Sequence, residues 1–154
     1  MKIRCDEFDI QPIFPAGGFV TLTEDQVEAH CVAPFQGSVR RPLLMTNLRR
    51  WIDQLRSIGV HGDLWVDGSF LTKRPEPDDV DVVFLIDSTK SKLIPNNIPA
   101  ANFLLDRQAM KQQYHIEVLA LHKGQNIEHE AKWMGWFGFC RDRRTPKGFA
   151  EVMV

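Results

Sequence analysis

The segment Trp65-Val66-Asp67-Gly68-Ser69-Phe70 drives an apolar run into Gly-Ser, and after a polar loop Asp79-Val80-Asp81-Val82-Val83-Phe84 sets two aspartates one residue apart among valines. Successive side chains of a strand point to opposite faces, so Asp79 and Asp81 share one face while Val80 and Val82 take the other. Two carboxylates held side by side repel, and a divalent cation between them relieves the repulsion. A Gly-Ser turn adds backbone amides and a hydroxyl that can approach a phosphate closely. These runs therefore predict a sheet with a polar site at the end that bears Gly68 and Ser69.

The remaining segments supply what such a sheet must bury. Thr23-Glu24-Asp25-Gln26 has the form of a capping box and predicts a short helix to about Val32, stopped by Pro34. Leu44, Leu48, Trp51, Ile52, Leu55 and Ile58 recur at helical spacing and predict an amphipathic helix from Pro42 to Gly59 that covers the sheet. Its polar side carries Arg49, Arg50, Asp53 and Arg56, with Arg49 and Asp53 spaced as an i,i+4 pair. Strands are expected over Asp63 to Val66, Val80 to Ile86 and Tyr114 to Leu121, the last with Glu117 in its middle. Asn102 to Gln113 reads as a helix anchored by Phe103, Leu104 and Met110, and Asn126 to Trp133 as another. Trp136 to Phe139 and Gly148 to Val154 read as arms of a hairpin around the cationic turn Arg141 to Lys147. Residues 1–22, with Pro12, Pro15, Gly17 and Gly18, read as an irregular arm of one 1–154 domain.

Charge and motif content narrow the chemistry. Nineteen Lys and Arg against twenty Asp and Glu leave a net charge of −1, so total charge predicts no standing attachment to nucleic acid or an anionic membrane. Cys5, Cys31 and Cys140 are scattered without metal-ligand spacing, and no apolar run is long enough for a signal peptide or membrane span, which makes a cytoplasmic protein the expectation. Neither Gly-x-Gly-x-x-Gly nor a phosphate loop ending Gly-Lys-Ser/Thr is present, and the histidines lack zinc-ligand spacing. The cluster Arg141, Arg143, Arg144 and Lys147 beside Trp133, Trp136, Phe137 and Phe139 can hold phosphate while a ring stacks on a base; it is equally the pattern of a solvated turn beside a core.

The order of an apolar residue, Gly, Ser, a gap and Asp-x-Asp among apolar residues resembles the signature of the nucleotidyltransferase fold, the DNA polymerase beta superfamily. Val66, Gly68 and Ser69 match its first half and Asp79 and Asp81 its second, while Asp67 stands where an apolar residue is frequent. The block VDGSFLTKRPEPDDVDVVF and the ending GWFGFCRDRRTPKGFAEV are similar to small stand-alone bacterial members, some of them toxins or antiphage components and some paired with a helical partner. The resemblance implies an α/β architecture, a mixed twisted sheet with packed helices in a minimal nucleotidyltransferase fold.

It also implies an activity: metal-dependent transfer of a nucleoside monophosphate from an NTP to an acceptor hydroxyl on RNA or protein. Asp79 and Asp81 would hold Mg²⁺ (or Mn²⁺), with Glu117 as the third acid because the superfamily takes it from a later strand. Gly68 and Ser69 would hold the triphosphate, with Lys73, Arg141 and Lys147 as further nucleotide-binding candidates. The alternative is a catalytically inactive nucleotide-binding or partner-interaction module of the same fold. No acceptor-binding domain is visible, so the product of a neighbouring gene or a second copy in a homo-oligomer is the expected source of that surface.

Overall fold

The computed structural model describes residues 7–154, which leaves Cys5 outside the described residues. Helix α1 (Glu24–Cys31) opens on the predicted capping box: Thr23 accepts from the Gln26 amide while the Gln26 side chain accepts from the Thr23 amide. Helix α2 (Arg40–Ser57) begins two residues before the predicted start. There the Glu76 carboxylate accepts from the Val39 and Arg40 amides at 2.9 and 3.0 Å, so a distant loop supplies the cap. Leu44, Leu48, Trp51, Ile52 and Leu55 are all buried, as their spacing requires. Arg49 turns away from Asp53 to pair with Asp25 and Glu28 of α1, while Asp53 lies near Arg56.

Strands β1 (Gly18–Thr21), β2 (Gly62–Asp67), β3 (Val80–Ile86), β4 (Ile116–His122) and β5 (Gly148–Met153) form one five-stranded sheet in the order β1-β5-β2-β3-β4. β1 runs parallel to β5 and β3 to β4, whereas β2 is antiparallel to both of its neighbours. The architecture is thus the expected α/β with a mixed sheet. Alternation sorts the strand residues onto two apolar faces. Leu64, Val66, Val80, Val82, Phe84, Ile116, Val118, Ala150 and Val152 join α1, α2 and the later helices in the larger core. Trp65, Val83, Leu85 and Phe149 face the other way and pack with Phe137 of helix α5 (Ile127–Phe137). Covering on both sides is why the strands read as near-continuous apolar runs.

Several elements differ from the sequence expectation. The first segment is less irregular than its prolines and glycines imply, with a 3-10 turn at Glu7–Ile10 and β1 at the sheet edge. The expected 102–113 helix is two, α3 (Ile98–Leu104) and α4 (Arg107–Tyr114). Asp106 interrupts it because its carboxylate caps α4 by accepting from the Ala109 amide at 2.7 Å. Leu104 and Met110 are buried, but Phe103 is 50% exposed. The C-terminal hairpin does not form as expected: Trp136 and Phe137 end α5, an isolated bridge joins Phe139 to Pro146 of the expected turn, and β5 pairs with β1 and β2 instead. Among the described residues no helix is long and apolar enough to cross a membrane.

Candidate active site

Register and alternation together bring the acids into a row. Asp67 of β2 lies opposite Asp81 of β3, and Asp81 lies opposite Glu117 of β4. All three share the parity of Trp65, Val83 and Leu119 and so stand on the α5 side of the sheet. Directly opposed strand residues sit about 5 Å apart, so these carboxyl groups are near neighbours. Asp79, just ahead of β3, joins the same cluster. Gly68 then leads the chain into the 3-10 turn Gly68–Leu71 with φ +78°, and a Cβ there would collide with the Asp81 carboxylate. Glycine is what allows the turn and the carboxylate to touch.

The turn is held from behind by an arginine that sequence reasoning did not single out. Arg41, fully buried in the first turn of α2, donates to the carbonyls of Cys31 (2.7 Å), Phe70 (2.8 Å), Thr72 (2.6 Å) and Arg74 (3.1 Å from Nε). The Phe35 ring stacks on its guanidinium at 3.7 Å. Burial lowers the Arg41 pKa to about 10, which leaves it charged at neutral pH. The loop's carbonyls are thereby drawn toward the core.

Burial dominates the electrostatics of Asp67, Asp79 and Asp81, and crowding of the acids adds to it for Asp79 and Asp81. Asp79 is raised from the ordinary carboxylate value, first by burial and then by the charge of Glu117. Asp81 is raised by burial and by its hydrogen bond with Glu117. Glu117 is lowered, first by that same hydrogen bond and then by Lys111. Burial thus favours the protonated form of Asp81, and the hydrogen bond between the two together with Lys111 favours the ionised form of Glu117. Burial also lifts Asp67 to about 7, against the opposing pull of Lys147. Ionising all of these acids at once is therefore disfavoured.

The row forms one side of a cleft of about 360 Å³. Asp79, Asp81, Glu117, Gly68, Ser69, Arg141 and Lys147 all line it, so most of the predicted site residues converge. Lys73 does not line it; its side chain is exposed, and Arg74 next to it faces the cleft instead. Lys147 is buried, with Nζ 3.0 Å from Asp67 Oδ1 and 3.3 Å from the Gly68 carbonyl, a position suited to fixing the turn. Arg141 and Arg74 each lie 3.3 Å from the buried Asp9 carboxylate. Trp133, Trp136, Phe137 and Phe139 complete the wall, with the Arg143 guanidinium 3.3 Å above the half-exposed Trp136 ring.

The donor set is all carboxylate oxygen, the chemistry that Mg²⁺ or Mn²⁺ prefers. Asp79, Asp81 and Glu117 fit such an ion by donor type. Their arrangement is not that of a filled site: among the described residues no group of three or more His, Cys, Asp or Glu is placed to hold a metal ion. Glu117 is instead engaged by Lys111 at 2.8 Å and Arg107 at 3.3 Å. A family model described as a family of unknown function, DUF6932, matches residues 6–153. No curated protein and no solved structure matches the chain.

Proposed function

We propose that this chain, which belongs to the family of unknown function DUF6932, is a metal-dependent nucleotidyltransferase that moves a nucleoside monophosphate from an NTP to an acceptor hydroxyl on RNA or protein. The observation that carries the reading is the register pairing of Asp81 with Glu117, beside Asp79 and against the Gly68 turn, in a cleft whose other wall is cationic and aromatic. Phosphoryl chemistry asks mainly for positioning and charge stabilisation. In the reaction the acceptor oxygen forms a bond to the α-phosphorus, the bond from that phosphorus to the bridging oxygen breaks, and pyrophosphate leaves with the electron pair. The hydroxyl proton passes to the carboxylate cluster and on to water.

Each group has a part in this reading. Asp79, Asp81 and Glu117 would hold Mg²⁺ or Mn²⁺, which when bound offsets triphosphate charge and makes the acceptor hydroxyl more acidic. Gly68 and Ser69 present the turn to the phosphates, and Arg41 with Lys147 keep that turn in place. Arg74 and Arg141 offer planar donors for phosphate oxygens. The Trp136 ring with Arg143 on it offers a face on which a base can stack.

The test incubates the protein with Mg²⁺ or Mn²⁺ and each α-³²P-labelled NTP, with total RNA and cell lysate as acceptors, beside Asp79→Asn. Label should move in the wild type and fall at least about 100-fold in the variant, whose melting temperature should stay close to wild type. Retained transfer by Asp79→Asn removes the mechanism. A second reading, an inactive nucleotide-binding or partner-interaction module, is favoured by the engagement of Glu117 with Lys111 and Arg107. Nucleotide binding without transfer, together with a stable complex with a neighbouring gene's product, would select it.

A further inference from the structure

The acid row already has a cation against it. Lys111, in the last turn of α4, places Nζ 2.8 Å from Glu117 Oε1 and 4.0 Å from Asp79 Oδ2. Arg107, one turn earlier on the helix, pairs with the same Glu117 oxygen at 3.3 Å. Lys111 is thus the side chain whose charge reaches toward both acids, one ahead of β3 and one within β4. A divalent ion held by those acids would meet the ammonium at close range, where like charges repel strongly.

We propose that Lys111 is a built-in competitor for the divalent cation: its ammonium stands between Asp79 and Glu117 until the ion arrives and must leave for the ion to bind. The inference rests on the metal-dependent reading above and adds a residue that sets the cation concentration at which the site fills. The lysine is built for such an exchange. Its side chain is 54% exposed on a flexible stem, so it can swing into water without moving α4. The helix itself is fixed by the Asp106 cap and by buried Met110 and Tyr114. With the ammonium in place Glu117 is committed to it, which accounts for acids that are close together and yet not arranged as ligands.

The experiment is a calorimetric titration of Mn²⁺ into the full chain, with circular dichroism to verify folding. Lys111→Met should bind Mn²⁺ about five- to tenfold more tightly than wild type, the scale of removing one nearby, partly solvated charge. Lys111→Arg should stay within about twofold of wild type, because the charge remains. Asp79→Asn should lose binding. If Lys111→Met binds Mn²⁺ no more tightly than wild type while Asp79→Asn still loses it, the competitor is overturned and the metal-dependent reading stands. If wild type and Lys111→Met both fail to bind Mn²⁺, or if Asp79→Asn binds it normally, the metal-dependent reading falls and takes the competitor with it. Lys111→Gln repeats the comparison should the methionine variant misfold.

Discussion

Gly68 is where backbone conformation and chemistry meet in one residue. Its φ of +78° lies in the left-handed region, which costs an L-residue roughly 1–2 kcal/mol, and a Cβ there would occupy the space of the Asp81 carboxylate. Gly68→Ala must therefore displace either the turn or the acid. We expect it to lower transfer about 100-fold or more and the melting temperature by a few degrees, since about 1 kcal/mol is worth ~2–4 °C in a chain of this size. Asp79→Asn, by contrast, should lose activity at nearly constant stability. Full turnover by Gly68→Ala would show that the contact between turn and acid is unused. Gly68, Asp79 and Asp81 stood out by residue type and flanks, and Glu117 as the one acid of its strand together with the resemblance; the β3–β4 register then sets Asp81 beside Glu117. Asp67 was not, since its place in the row depends on the β2–β3 register, which only the folded sheet fixes. Lys73 and Arg74 are adjacent and chemically alike, and only the course of the loop decides which one faces the cleft.

Among the elements, α2 does more than cover the sheet. Its first turn carries Arg41 into the carbonyls of residues 70–74, and Glu76, two residues further along the same loop, caps the helix in return. Helix and loop thus stabilise each other. Arg41→Met would leave buried carbonyls without donors, at about 1–3 kcal/mol each where relaxation does not rescue them. We expect a loss of roughly 2–4 kcal/mol in urea unfolding and faster amide exchange confined largely to residues 69–74. Unchanged exchange in that loop would mean that the arginine does not hold it. The sequence marked α1 by its capping box, α2 by its apolar stripe and β3 with the bounds observed. Those signals are local. Arg41 gave no such signal, because beside Arg40 it looks like any solvated helix cation until the loop packs over it. The partner of β5 was hidden for the same reason: alternation marks a strand, whereas pairing with β1 and β2 is a long-range choice.

For the whole molecule, the acid row means that folding itself titrates. Asp67, raised from 3.8 to about 7, binds its proton more tightly folded than unfolded, and Asp79 and Asp81 are displaced in the same direction. Stability from such groups is fully present below the unfolded value near 3.8 and is lost as pH rises through the folded value. Glu117 and Asp142, both lowered to about 2, act oppositely: their contribution is present above the ordinary carboxylate range and is lost as pH falls toward 2. The two sets leave maximal stability near pH 4–5 and a decline toward about pH 7. In EDTA the melting temperature should therefore fall between pH 5 and pH 7.5. Asp81→Asn, which cannot ionise, should show a shallower fall and melt above wild type at pH 7.5. A divalent ion that binds only the folded chain should flatten the wild-type profile and leave that of Asp81→Asn unchanged. A wild-type melting temperature that is level or rises over this range would contradict the buried, mutually repelling carboxylates on which the metal-dependent reading depends.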